Sequence, residues 1–360
     1  MRAAVINTIG AGFQIQDLDI DEPRGAEVLV KVEAAGLCHS DMIVATTDRG
    51  RPLPMVVGHE MAGVVVGLGP DATGFELGDH VVGSEISFCG VCEECVDGAS
   101  YRCLNPGAVT RPPSAPARLS RGGERVEAFG VAGFAEYTVL HQNKLVKIPA
   151  EIPFAQASVL GCATATGVGA VLNAARVSPG QSVAVVGLGG VGLNLVAGAR
   201  LAGARTIVGI DLQPAKLDLA RRFGATHVIN GAATDVAAAV RDITGRGVHH
   251  AFEAIGLGAT QRQAIEVTRV GGDVHFIGIP QGKPLELNVM VDLLMHQRSL
   301  HGIYMGSSTI RRDIPYYAEL YLQGRLNLDD LIAQEITLDG INEAYARQET
   351  GAIARSIIRF

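Results

Sequence analysis

Ser182-Val-Ala-Val-Val-Gly187-Leu-Gly189-Gly-Val-Gly192 is the stretch that decides the fold. Its first five residues, apolar after the serine and rich in valine, read as a buried parallel strand. The strand runs directly into Gly-x-Gly-x-x-Gly, and residues 193–202 continue as a helix-like stretch rich in Ala and Leu. A second apolar run, Thr206-Ile-Val-Gly-Ile210, ends on Asp211, nineteen residues past Gly192. Strand, glycine turn, helix, strand and terminal acid make a dinucleotide-binding unit. Gly187 permits the turn, Gly189 lets the backbone approach a pyrophosphate, and Gly192 lets the helix pack on the strand. The pyrophosphate would sit at the positive helix end. Asp211 would accept from the adenosine ribose hydroxyls and repel a 2′-phosphate, which favours NAD over NADP.

Beyond this unit the alternation continues. Ala225-Thr-His-Val-Ile229, His250-Ala-Phe-Glu-Ala254 and Asp273-Val-His-Phe-Ile277 read as later strands, each after a helical stretch. The first 150 residues have a different texture. Val28-Leu-Val-Lys-Val32, Gly63-Val-Val-Val66 and Asp79-His-Val-Val82 alternate with Gly/Pro turns, which suggests a β-rich, barrel-like domain. Residues 105–133, with Pro106, Pro112, Pro113 and Pro116, read as one long irregular loop. At 360 residues the chain is too long for one ordinary domain and suits two.

Composition narrows the function classes. Apolar residues make up 48%, so the chain is not disordered, and a formal charge of −7 gives no basic footprint for nucleic acid. No run of about 18 uncharged apolar residues is present to span a membrane, and the opening residues show no signal-peptide core. A cytoplasmic enzyme is the expectation.

Six cysteines sit in two groups. Cys89-Gly-Val-Cys92-Glu-Glu-Cys95, followed by Cys103, offers four thiolates. Two-residue gaps let tight turns aim sulfurs at one point about 2.3 Å away, which suits a closed tetrahedral zinc site of structural type. An iron–sulfur cluster and a set of free thiols are the alternatives on ligand type alone. Cys38, His59 (twenty-one residues on) and Cys162 offer two thiolates and one imidazole. Three ligands leave a fourth position open, the pattern of catalytic zinc. Asp41 and Glu60, each beside a ligand, are available as carboxylates behind it.

Taken together the chain resembles the zinc-dependent medium-chain alcohol dehydrogenases nearly end to end. The resemblance is carried by Gly36-Leu-Cys-His-Ser-Asp41, Gly58-His-Glu60, the Cys89–Cys103 cluster, Leu160-Gly-Cys-Ala-Thr-Ala-Thr-Gly167, the glycine turn, Asp211 and the closing Arg355-Ser-Ile-Ile-Arg-Phe360. It implies an α/β protein with a β-rich GroES-like catalytic domain, residues 1–163 and 305–360, and a doubly wound Rossmann domain, residues 164–304. It also implies two Zn²⁺ per chain: Cys38, His59 and Cys162 hold the catalytic ion, and Cys89, Cys92, Cys95 and Cys103 the structural one. The cofactor NAD would be held by Gly187, Gly189, Gly190, Val191, Gly192 and Asp211, with Lys216 at the ribose and His39 and Arg355 at the pyrophosphate. Ile277, Gly278, Ile279 and Thr166 would lie against the nicotinamide. The 105–133 loop resembles that of dimeric members, so a homodimer is expected, with a small alcohol or aldehyde as the other partner.

The implied reaction is reversible oxidation of a primary alcohol to an aldehyde, with hydride passing to NAD. Ser40 is the expected proton relay, since a hydroxyl donates and accepts at once. Where several members end that relay on a histidine three residues past the serine, this chain has Ile43. Glu85 falls where the family commonly places a bulky apolar residue against the substrate; Arg49 and Phe129 are the other expected pocket residues. The rival expectations are a thiol-adduct formaldehyde dehydrogenase or polyol dehydrogenase on the same scaffold, and a catalytically silent NAD(H)-binding protein.

Overall fold

The computed structural model describes residues 1–112, 114–349 and 354–360; Pro113 of the expected loop lies outside them. The chain forms two units, Met1–Cys162 with Thr309–Phe360, and Ala163–Ser308. The chain returns to the first unit at Thr309, not 305, because residues 305–308 stay with the second: Ser308 Oγ donates to the Ala165 carbonyl at 2.8 Å.

In the first unit the strand Glu27–Gly36 is the organising element. Val28, Val30 and Val32 alternate into the core, which is what a period-2 pattern does on a pleated strand. It pairs antiparallel with Glu60–Leu68 on one side, and with Tyr137–His141 and Ser356–Arg359 on the other. The sheet continues through His80–Gly83 to Leu145–Lys147. A second sheet carries Arg2–Ile6 and Met55–Val56, and a common apolar core joins Ala3, Val5, Val30, Met61, Phe134 and Tyr345.

Residues 105–133 are not one irregular loop. Leu119–Arg121 and Glu124–Ala128 form a hairpin whose two-residue connection is Gly122-Gly123, with φ of 58° and 87°. Both turn residues need positive φ, and Gly-Gly supplies it. The neighbouring prolines masked that signal. Arg111, before the hairpin, is anchored by Glu27 and Asp21 at 2.5 Å each.

The second unit is a six-stranded parallel sheet in the order His227–Asn230, Thr206–Asp211, Ser182–Val186, Val248–Glu253, Thr268–Phe276, Ser299–Gly302. The chain winds outward from Ser182–Val186 in one direction, then crosses and winds in the other, which is the doubly wound arrangement. The sixth strand, Ser-Leu-His-Gly, is too short and polar to read from sequence. Among the described residues no single helix is long and apolar enough to cross a membrane.

Three imidazoles stack across neighbouring strands of this sheet. His275 lies between His250 and His301, with ring centroids 5.5 and 5.1 Å apart. Its Nε2 shares a 3.2 Å hydrogen bond with His250 Nδ1, and it is 3% exposed. Burial, helped by the two neighbouring rings, drives its pKa down to about 3. The unfolded chain therefore binds this proton first as pH falls, so stability holds above about 6.5 and is lost between there and 3. We expect His275 to account for about 3 kcal/mol of the loss at pH 4.5 relative to pH 7.5. Urea unfolding at both pH values should show a visibly smaller loss in His275→Phe; equal losses would mean that the column does not titrate as described.

Candidate active site and cofactor loop

The register of two strands brings the first donors together. Gly36 pairs with Glu60, so Cys38, leaving one strand, emerges beside His59, entering the other. A side chain on Gly36 would stand 2.3 Å from Glu60 Oε2, so the site needs glycine there. Cys162 arrives from another strand neighbour: Ser84 Oγ donates to the Gly161 carbonyl at 3.3 Å, and Gly161 packs against the backbone of Gly83. The result is a buried cluster in which one donor atom each of Cys38, His59, Glu60 and Cys162 lies within 4.8 Å of the others. Glu60 was expected behind the ligands; its carboxylate is among them.

Hydrogen bonds aim the set. Asp41 Oδ1 accepts from His59 Nδ1 at 2.8 Å and from the Gly58 amide at 3.1 Å, which fixes the tautomer that leaves Nε2 as the donor atom. Burial alone would lower the His59 pKa, but the Asp41 carboxylate and the two sulfurs outweigh it and raise it. The Cys38 thiol, sharing its proton with Cys162 and facing Arg355 and His59, is held well below the ordinary range. Burial pushes Glu60 up to about 7 against the pull of Arg355. Arg355 Nη2 donates to Glu60 Oε1 at 2.6 Å and Nη1 to the Leu37 carbonyl at 3.1 Å. Sequence gave no sign of that pairing; Arg355 is buried in it. Tyr345 closes the back with its hydroxyl on the Cys38 carbonyl at 3.2 Å. Ser40 Oγ lies 3.6 Å from Cys38 Sγ, half-buried.

These residues fit a metal cation. Glu60 Oε2 and Asp41 Oδ2 are buried oxygens with no hydrogen-bond partner among the described residues, which is costly unless something positive meets them. The outlying cluster fits one as well. Its sulfurs stand 3.6 Å (Cys89–Cys103), 3.5 Å (Cys92–Cys95), 3.9 Å (Cys92–Cys103) and 4.0 Å (Cys89–Cys95) apart. A tetrahedron with about 2.3 Å metal–sulfur bonds has edges near 3.8 Å. Backbone amides of Leu104 and Cys95 pull the Cys92 thiol down to about 6, readying it as a thiolate.

In the second unit the glycine turn divides its duties as its spacing suggests. Gly187 has φ of 93°, and a side chain on it would strike Ile255; one on Gly192 would strike the Gly187 carbonyl. Around Gly189 a side chain would meet nothing within 4 Å, leaving space before the helix Gly190–Leu201, whose first amides have no side-chain cap. That is a cradle for an anion. Asp211 Oδ2 accepts from the Leu188 amide at 2.8 Å, tying the acid to the loop. Residues 277–279 follow Thr268–Phe276, so they share the carboxyl edge of the sheet with the loop and Asp211, where open α/β sheets bind ligands. Lys216 is half-buried on the helix Pro214–Phe223, and Thr166 is buried on Ala163–Gly169.

Arg49, an expected pocket residue, and His39, expected at the pyrophosphate, are both exposed. It is Arg51 that reaches Phe129, its guanidinium carbon 3.9 Å from the ring centroid. The Glu85 carboxylate fills the space beside Gly130, and Ile43 is buried.

Comparison with known proteins agrees with this architecture. Residues 24–150 match the alcohol dehydrogenase GroES-like domain, and residues 190–323 match the zinc-binding dehydrogenase family. An S-(hydroxymethyl)glutathione dehydrogenase of Synechocystis is 37% identical over 100% of this chain and 99% of its own length. Among solved structures, an alcohol dehydrogenase zinc-binding domain protein from Burkholderia ambifaria superposes with a TM-score of 0.94 at 39% identity, covering 100% of this chain and 98% of its own. Benzyl alcohol dehydrogenase from Acinetobacter calcoaceticus gives 0.93 at 35% identity, covering 100% and 99%. With full-length relatives above a third identical and both domain families matched, the chain belongs to the zinc-dependent medium-chain alcohol dehydrogenases, oxidoreductases acting on CH–OH groups.

Proposed function

We propose that this chain interconverts a primary alcohol and its aldehyde with NAD, holding one catalytic and one structural zinc ion. The observation that carries the reading is the buried donor set of Cys38, His59, Cys162 and Glu60, in which one oxygen of Glu60 and one of the adjoining Asp41 are orphaned among the described residues. When bound there, zinc supplies Lewis acidity that lowers the pKa of an alcohol, and the nicotinamide supplies the hydride acceptor. Asp41 keeps His59 in the ligating tautomer. Arg355 cancels the charge of Glu60, so the donor set does not carry an excess of negative charge. Ser40 Oγ takes the hydroxyl proton and hands on its own; Ile43 offers no base, so that proton leaves by another route. Asp211 selects an adenosine ribose with free hydroxyls.

A homodimer in the cytoplasm completes the proposal. Among the described residues the edge strand Ser299–Gly302 is unpaired on one side, and Val289, Met290, Leu294 and Met295 nearby in sequence are 56–68% exposed. An open strand edge with exposed apolar residues beside it favours association with a second copy. The deciding experiment is nicotinamide absorbance with purified protein, NAD and a panel of aliphatic, aromatic and polar alcohols, with NADP as control. Reduction of NAD by at least one alcohol, and much weaker reduction of NADP, is expected. No reduction by any of them, with two zinc ions bound, would overturn the proposal.

A further inference from the structure

Arg51 belongs to no part of the machinery described above. Its guanidinium lies over the face of Phe129, and its Nη1 is buried with no hydrogen-bond partner among the described residues. A buried cationic donor left unpaired is costly, and stacking on a ring satisfies the charge only in part. The surroundings place it in the substrate region. The Phe129 amide donates to the Val56 carbonyl, three residues before His59, and the segment runs on beside the metal centre through Phe134 to Val57 and Gly133 to Gly58. Next along the wall is Gly130, against which the Glu85 carboxylate packs, and Glu85 lies close enough to Asp41 to disfavour its ionised form. A continuous line of residues thus leads from Arg51 through Phe129, Gly130 and Glu85 to the pair that orients His59.

The two charges on that wall are not equivalent. Glu85 has a compensating cation: Lys144, 6% exposed, donates to the Gly130 carbonyl at 2.8 Å and interacts electrostatically with Glu85. Arg51 has, among the described residues, the Phe129 ring as its partner. The uncompensated charge of the wall is therefore positive, and it is carried by a planar, forked donor suited to a carboxylate.

We propose that Arg51 is a specificity-determining residue that selects alcohols bearing an anionic group at the end remote from the hydroxyl. This rests on the dehydrogenase reading given above. Phe129 holds the guanidinium over its ring, so less side-chain freedom is lost on binding, and a substrate carboxylate supplies the acceptor that Nη1 lacks.

The test compares 4-(hydroxymethyl)benzoate with benzyl alcohol, two substrates alike except for a remote carboxylate. The wild-type enzyme should show the higher kcat/KM on the carboxylate. In Arg51→Met the ratio of the two kcat/KM values should fall at least about tenfold, through KM more than kcat, and Arg51→Lys should recover part of it. Calorimetric binding of 4-formylbenzoate against 4-formylbenzamide, without cofactor, to wild type and Arg51→Met, reads the same preference without turnover. Oxidation of benzyl alcohol with no preference for the carboxylate, or a ratio unchanged by Arg51→Met, overturns the role of Arg51 and leaves the dehydrogenase reading standing. If neither alcohol is oxidised, the full alcohol panel decides the dehydrogenase reading, and the binding preference alone decides whether Arg51 selects an anion.

Discussion

In Cys38→Ser, bound zinc is expected to fall from two ions per chain to one, and turnover of every alcohol by more than about a thousandfold. The size follows from what is lost. A Lewis acid at the reacting oxygen is worth several kcal/mol of barrier, and about 4 kcal/mol is already a factor of a thousand. Serine keeps the volume, but its hydroxyl does not ionise near neutral pH, whereas the thiol it replaces is held well below its ordinary pKa. The backbone should tolerate the change, since Cys38 sits at the N-terminal cap of the helix His39–Thr46, a position serine favours. Zinc analysis and steady-state kinetics check it together. A variant that still binds two zinc ions and turns over alcohol normally would show that the buried cluster is not the catalytic centre.

The second large effect concerns stability. Arg355→Met removes the guanidinium paired with Glu60, in a pair whose side chains are 4% and 0% exposed. Breaking a buried ion pair from one side strands the other charge, typically at about 3–5 kcal/mol, and a drop in thermal midpoint on the order of 10 °C is expected. The diagnostic is the double variant. Adding Glu60→Gln removes the stranded charge, so much of the lost midpoint should return. A double variant no more stable than Arg355→Met alone would mean that Arg355 acts through packing rather than charge.

The doubly wound unit was legible because its determinants are local. The turn Gly187 to Gly192 and the acid at the end of the next strand lie within 25 residues, and every step obeys backbone rules that a sequence displays. Cys89, Cys92 and Cys95 are local in the same sense, since short gaps confine their sulfurs. What was not legible depends on long-range packing. Nothing in a sequence couples Arg355 to Glu60 across 295 residues. That the Glu60 carboxylate lies beside Cys38, His59 and Cys162 follows from its register opposite Gly36, which only the folded sheet reveals. Arg49 and Arg51 are indistinguishable by pattern in a run of turn residues, yet only Arg51 reaches Phe129. The hairpin at Gly122-Gly123 did carry a readable turn signal, overlooked among prolines.

The insertion of Ser356–Arg359 alongside Glu27–Gly36 has a consequence for how the protein is made. A ribosome adding about 5–20 residues each second needs roughly 15–60 s to travel from Glu60 to Arg355. Throughout that interval the nascent chain holds a half-built sheet with an open edge and a carboxylate awaiting its counter-charge. The outlying cysteine cluster is closed within 15 residues of chain, and the buried donors are all made by Cys162, yet the Glu60 carboxylate meets its guanidinium only when Arg355 is delivered. Charge balance in the buried cluster is thus the last part of the site to be set, and a chain stalled before that point would bury a carboxylate unanswered.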